Sequence, residues 1–170
     1  MTDFNQIAAP ASASGPDDER PVSISARLGR LQFHRSGKFR VLQLADIQDG
    51  PKVSKDTIRL IEASLDAARP DVVIFTGNQI AGYDDAYCDT FRKRQWEPAR
   101  RGKIERTRAK VRAGISAFLQ PLIDRGIPFA VTYGNHDAQC GLSPAELDAL
   151  YREFPGCINP PCNMDDSAAN

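Results

Sequence analysis

The 170-residue sequence has only two histidines, His34 and His136, and one tryptophan. Its four cysteines, Cys88, Cys140, Cys157 and Cys162, form no pair of C-x-x-C half-sites, which argues against a structural zinc site. Reduced thiols are expected, with a Cys157–Cys162 disulfide across Ile158-Asn159-Pro160-Pro161 as the alternative. No run of about 18 apolar residues occurs, so no helix is expected to span a bilayer and no membrane partner is expected. The opening stretch lacks the basic start and apolar run of a signal peptide, which leads to the expectation of a cytoplasmic location. Net charge is missing as well: 22 basic residues balance 22 acidic ones. That balance excludes a surface that is basic throughout, of the kind that traps nucleic acid or anionic lipid. What remains is 41% hydrophobic and 26% charged residues, the composition of a folded domain rather than a disordered chain.

Residues 1–25 are rich in Ala, Ser, Pro and Asp without periodicity and read as a tail. A β-hairpin is expected next. Arg27–Phe33 partly alternates, His34-Arg35-Ser36-Gly37 supplies the turn, and Lys38–Ala45 alternates again into the core. Ser54 is placed to cap a helix over Lys55–Ala68, in which Ile58, Ile61, Leu65 and Ala68 share one face. Pro70 restricts Arg69 to non-helical backbone and ends it. Val72–Thr76 is an unbroken apolar, β-branched run, the pattern of a strand covered on both faces. A second helix is expected over about Lys103–Asp124, with Gly126 just past its end. Pro128–Tyr133 reads as a further strand, and Ser143-Pro144-Ala145-Glu146 as a capping box opening a third helix. Residues 155–170 show no strand pattern and read as an irregular tail. Strands alternating with helices predict an α/β layered domain over 26–154, with a mixed, largely parallel sheet and flanking helices.

Three polar clusters directly follow three of these strands: Asp46-Ile47-Gln48-Asp49, Gly77-Asn78-Gln79 and Gly134-Asn135-His136-Asp137. In an open α/β sheet ligands bind beyond the carboxyl ends of the strands, and parallel strands bring all three clusters to one edge. That convergence of segments far apart in sequence marks the candidate site.

In order and strand context these clusters resemble the first three motif blocks of the calcineurin-like metallophosphoesterases, D-x-H, G-D-x-x and G-N-H-D/E. The resemblance runs from about Phe33 to at least Leu142. It implies the amino-terminal half of a metallophosphoesterase-like sandwich. The implied activity is hydrolysis of a phosphomonoester or phosphodiester, with a phosphate-ester small molecule as substrate. Two divalent metal ions (Mn, Fe, Zn or Mg) would activate a water and clamp the phosphoryl oxygens. Carried over by resemblance, Asp46 and position 48 ligate the first metal, position 78 bridges both, and Asn135 ligates the second. Asn135 and His136 contact the phosphate, and His136 protonates the leaving group. Asp137 orients the loop or His136.

Two blocks depart from that pattern. Gln48 stands at the usual histidine position and is a poorer donor for zinc or iron. Asn78 stands at the usual bridging aspartate and removes a negative charge from between two cations. The later histidine-bearing blocks of the family find no counterpart, since only His34 and His136 are present. An incomplete catalyst is therefore expected, with a non-catalytic phosphate- or metal-binding relic as the alternative.

Between the second and third blocks, Phe91–Arg112 holds ten Lys or Arg against two Glu, a net +8 that leaves −8 for the rest of the chain. A solvated helix face and loop is the plain reading of this basic insert. An electrostatic collar for a phosphate-bearing substrate, or a nucleic-acid-binding arm with Trp96 and Phe91 stacking on bases, are the functional ones.

Overall fold

A computed structural model describes residues 31, 33–93 and 103–160. The chain divides into two units, Met1–Phe39 and Arg40–Asn170. In the first, the expected turn is present: the His34 N–H donates to the Lys38 carbonyl at 2.9 Å and the Gly37 N–H to the His34 carbonyl at 2.9 Å. Most of the hairpin's first strand lies outside the described residues, as do tail residues 1–25 and 161–170, including Cys162.

The second unit carries β1 (Val41–Leu44), α1 (Lys55–Ala68), β2 (Val72–Thr76), α2 (Ile104–Asp124), β3 (Phe129–Thr132) and α3 (Pro144–Tyr151). The strands form a parallel sheet in the order β1-β2-β3. Crossovers of one hand in that order put successive helices on one face, and α1 and α2 pack together there. The register aligns Leu42, Val73 and Phe129, then Leu44, Phe75 and Val131, so these six side chains face the helices. Phe75 and Phe129 are fully buried and meet Phe118, Ile115 and Leu119 of α2 in one apolar core. The opposite face carries Val41, Val72, Gln43, Ile74, Thr76, Ala130 and Thr132. It meets the expectation for Val72–Thr76 only in part: Val72 is buried, but Ile74 is half-buried and Thr76 exposed. A continuous β-branched run prescribes a strand, but coverage of its second face must come from another layer.

Local chemistry sets the element ends. The Ser54 hydroxyl accepts from the Asp56 N–H, and α1 stops at Arg69, in left-handed backbone at φ 44° before Pro70. Helix α2 runs through Pro121 and closes on Gly126 at φ 63°. There the Gly126 N–H donates to the Ile123 carbonyl and the Ile127 N–H to that of Leu122, the paired bonds of a Schellman stop. The predicted capping box of α3 is complete, with Ser143 and Glu146 satisfying each other's backbone N–H groups. Burial raises the Glu146 carboxyl, but its bonds to Ser143 and the charge of Arg108 outweigh that and hold it below the ordinary carboxylate value.

Beyond α3, Cys157–Asn159 lies along the free edge of β3, where a tail without strand pattern was expected. The Phe129 N–H donates to the Gly156 carbonyl and the Ile158 N–H to the Phe129 carbonyl, both at 2.8 Å. The Asn159 side chain then takes over the role of a strand peptide. Its Oδ1 accepts from the Val131 N–H at 2.9 Å and its Nδ2 donates to the Val131 carbonyl at 3.0 Å.

Candidate active site

The three clusters meet at the carboxyl end of the sheet, as parallel order requires. Past the last strand residues the first two segments keep pairing. The Asp46 N–H donates to the Gly77 carbonyl, the Gln48 N–H to that of Asn78 and the Ala81 N–H to that of Asp49. Asp46, Gln48 and Asn78 all hold positive φ, at 53°, 47° and 57°. Left-handed backbone disfavours side chains other than Asn and Asp, so Gln48 in particular stores local strain. Gly134 is required by close approach: a Cβ there would stand 2.1 Å from Asn78 Oδ1.

Asp137 stitches the second and third clusters together. Fully buried, its carboxylate accepts from the Asn78 N–H and the Gly134 N–H at 2.7 Å and from the Ile80 N–H at 2.9 Å. Burial pushes its carboxyl above the ordinary value, against the opposing pull of those backbone donors. The role of loop organiser expected for this residue is the one its bonds describe.

Asp46 is exposed and bonds to side chains instead. Its Oδ1 accepts from Asn78 Nδ2 and from Gln48 Nε2, each at 3.0 Å. These two bonds, that of Asn78 first, hold its carboxyl below the usual range, and His136 adds a smaller electrostatic pull. The far ends of both amides are also engaged. Gln48 Oε1 accepts from the Tyr83 hydroxyl at 2.9 Å, and Asn78 Oδ1 from the His136 N–H at 3.0 Å. The His136 ring is half-buried, with Tyr83 edge-on at 5.0 Å between ring centroids and Nδ1 2.8 Å from Gln139 Oε1. An amide oxygen only accepts, so Nδ1 is the donor in that contact.

Of the five residues named from sequence, Asp46, Gln48 and Asn78 are joined side chain to side chain. His136 joins them through its backbone, and Asn135 is exposed in the same turn. Tyr83 and Gln139 were missed. Gln139 had a faint signal, since a residue three places after His136 lies over it in a 3₁₀ turn (His136 precedes Asp137–Cys140). Tyr83 had none. The basic insert is described only outside 94–102, so Trp96, Arg100 and Arg101 lie beyond the described residues. Among its described cations Lys103 pairs with Asp89, Arg108 with Glu146 and Arg112 with Glu153, while Arg92 and Lys110 donate to the Gly141 and Ala86 carbonyls.

A parallel α/β sheet whose strand ends present D-x-Q, G-N-Q and G-N-H-D defines a phosphoesterase-type domain. The family profile described as calcineurin-like phosphoesterase matches residues 39–166, and the chain belongs to that family. It is 27% identical over 151 residues to phosphatase DCR2 of Saccharomyces cerevisiae, covering 80% of this chain and 22% of that protein. It is 21% identical over 151 residues to probable inactive purple acid phosphatase 14 of Arabidopsis thaliana, covering 78% of this chain and 32% of the relative. With probable inactive purple acid phosphatase 29 of the same plant it shares 23% over 160 residues, 83% of this chain and 35% of the relative. The chain thus spans about a fifth to a third of the length of these relatives. No solved structure matches.

Calcineurin-like phosphoesterases generally use divalent metals. The donor set of this chain does not fit a pair of them. Asp137 and Asp49 accept from backbone N–H groups, which leaves Asp46 as the carboxylate among the amides of Gln48, Asn78 and Asn135, and the Asp46 oxygen that faces Gln48 and Asn78 is already met by two N–H donors. Asn78 Oδ1, the atom that would bridge, is held by the His136 N–H. Among the described residues no group of three His, Cys, Asp or Glu is placed to hold a metal ion. The expected ligand positions are therefore brought together, but as a hydrogen-bonded cluster.

Proposed function

We propose that this edge receives the phosphoryl group of a phosphate-ester small molecule without hydrolysing it by the two-metal route. The carrying observation is the setting of His136: Gln139 fixes its tautomer, Tyr83 packs against its ring, and Nε2 is left for a ligand. Once protonated, that nitrogen donates a charge-assisted bond to a phosphoryl oxygen, and the exposed Asn135 amide adds a neutral one. Asp46 is anionic at the same edge and opposes a dianion, so binding is weak, with Kd on the order of millimolar. Two relatives bear the word inactive in their names, which supports a non-hydrolytic reading. The intact G-N-H-D cluster and the phosphatase name of a third relative support metal-dependent hydrolysis as the rival.

Titration of this chain with phenyl phosphate, followed in NMR by the Asn135 side-chain NH₂ and the backbone N–H signals of the same turn, tests the reading. Saturable shifts that His136→Ala weakens about tenfold, with no turnover of p-nitrophenyl phosphate in Mn²⁺, are expected. Mn²⁺-dependent turnover by the unmodified chain would establish the rival, and shifts unchanged in binding strength by the substitution would remove His136 from the site.

A further inference from the structure

The mismatch between this donor set and a metal pair has a physical solution built into the chain. We propose that the Gln48 and Asn78 amides replace the cations. Their NH₂ groups hold the Asp46 carboxylate and the two strand-exit loops together, so the edge is organised without any metal. Asn78 is fixed at both ends by partners of one kind: its nitrogen meets a carboxylate, which only accepts, and its oxygen meets the His136 N–H, which only donates. Gln48 is fixed at its nitrogen by the same carboxylate, while its oxygen accepts from the Tyr83 hydroxyl, a group that can serve in either role. Asn78 cannot turn its oxygen toward a cation beside Asp46 without breaking two bonds, and Gln48 cannot without losing its bond to Asp46. Gly134 permits the approach, because any Cβ there would collide with Asn78 Oδ1.

The consequence is sharpest at Asn78. Asn78→Asp keeps the shape and the bond from the His136 N–H. Its second oxygen, however, takes the place of Asn78 Nδ2, which stands 3.0 Å from Asp46 Oδ1, with no proton between. Two carboxylates that close repel unless a cation or a shared proton joins them. One amide thus separates a loop pair held by hydrogen bonds from one that needs a metal. This inference does not depend on phosphate binding and is tested without it.

The test is thermal unfolding of the chain in EDTA and in 1 mM MnCl₂, with Mn²⁺ titration calorimetry alongside. The unmodified chain should melt within about 1 °C in the two conditions and show no saturable Mn²⁺ binding. Asn78→Asp should melt about 4 °C lower in EDTA and recover that loss in Mn²⁺. The double variant Gln48→His/Asn78→Asp should bind Mn²⁺ at least tenfold more tightly than the unmodified chain. The swap Asp46→Asn/Asn78→Asp restores an N–H···O bond between positions 46 and 78 but loses the one from Gln48 Nε2, so it should regain part of the lost melting temperature in EDTA. It also separates repulsion from general intolerance at position 78 should Asn78→Asp alone fail to fold. Stabilisation of the unmodified chain by Mn²⁺ would overturn the proposal. So would an Asn78→Asp chain as stable in EDTA as the unmodified one, or a swap no better than Asn78→Asp alone.

Discussion

Asp46 and Asp137 lie at the same edge of the sheet, and both bond to residues of the second cluster. Asp46 is exposed and its partners are two side-chain amides, whereas Asp137 is fully buried and its partners are backbone N–H groups. Their carboxyl groups shift in opposite directions, Asp46 downward through its amide bonds and Asp137 upward through burial. The difference separates two tasks. A buried acceptor of several backbone donors holds the chain's path, because unpaired peptide groups have no water to turn to. An exposed carboxylate with side-chain partners orders those side chains, and water can replace it without stranding a peptide group.

The largest way to break this comparison is Asp137→Ala. It strands the N–H groups of Asn78, Ile80 and Gly134, of which only that of Ile80 is fully buried, so with each at the lower end of about 1–3 kcal/mol a loss of about 3–5 kcal/mol is expected. Urea unfolding of this variant and of Asp137→Asn measures it, the asparagine variant losing less because one oxygen still accepts. A loss below about 1 kcal/mol for the alanine variant would mean that the loops are held by something other than this carboxylate.

A smaller effect of opposite sign is expected beside it. Gln79, 1% exposed and next to Asn78, has no hydrogen-bond partner for its Oε1 or Nε2 among the described residues. An unpaired buried amide is a liability that an apolar side chain of similar length removes. Gln79→Met should therefore raise stability by about 1 kcal/mol, read as a higher urea midpoint at unchanged slope. A fall instead would show that the amide holds a buried water, and would place Gln79 with Asp137 among the groups that organise the edge.

Much of this organisation was legible in the sequence because it rests on local rules. The face of α1, the capping box of α3, the Gly126 stop and the strand at Val72–Thr76 each follow from neighbours within a turn or an alternation. The meeting of three clusters followed from one topological rule, that parallel strands end together. Contacts made by one side chain across long separations were not legible. The β3 edge is completed by two backbone bonds at Phe129 and by the Asn159 side chain at Val131, too short a stretch for strand periodicity to announce Cys157–Asn159. Tyr83 reaches Gln48 across 35 positions, and nothing in a tyrosine five residues after Asn78 predicts it. The left-handed backbone at Gln48 was hidden too, since glutamine carries no preference for it. Sequence named the residues of the cluster, but the direction of its hydrogen bonds, which decides between amide and metal, emerged only with the fold.

The smallest effect completes the comparison. Asp46→Ala removes the acceptor of two amide bonds at an exposed position, where water replaces it at once. Hydrogen bonds open to solvent contribute little net stability, so the urea midpoint should fall far less than for Asp137→Ala. The chain's local geometry should respond more than its stability. Released from the carboxylate, the side-chain NH₂ signals of Gln48 and Asn78 should move in NMR, whereas the backbone N–H of Asn78, bonded to Asp137, should keep its slow hydrogen exchange. If Asp46→Ala instead costs as much as Asp137→Ala, the two carboxylates share one structural task. The division between an edge that is held and an edge that is offered to a ligand would then fail at its centre.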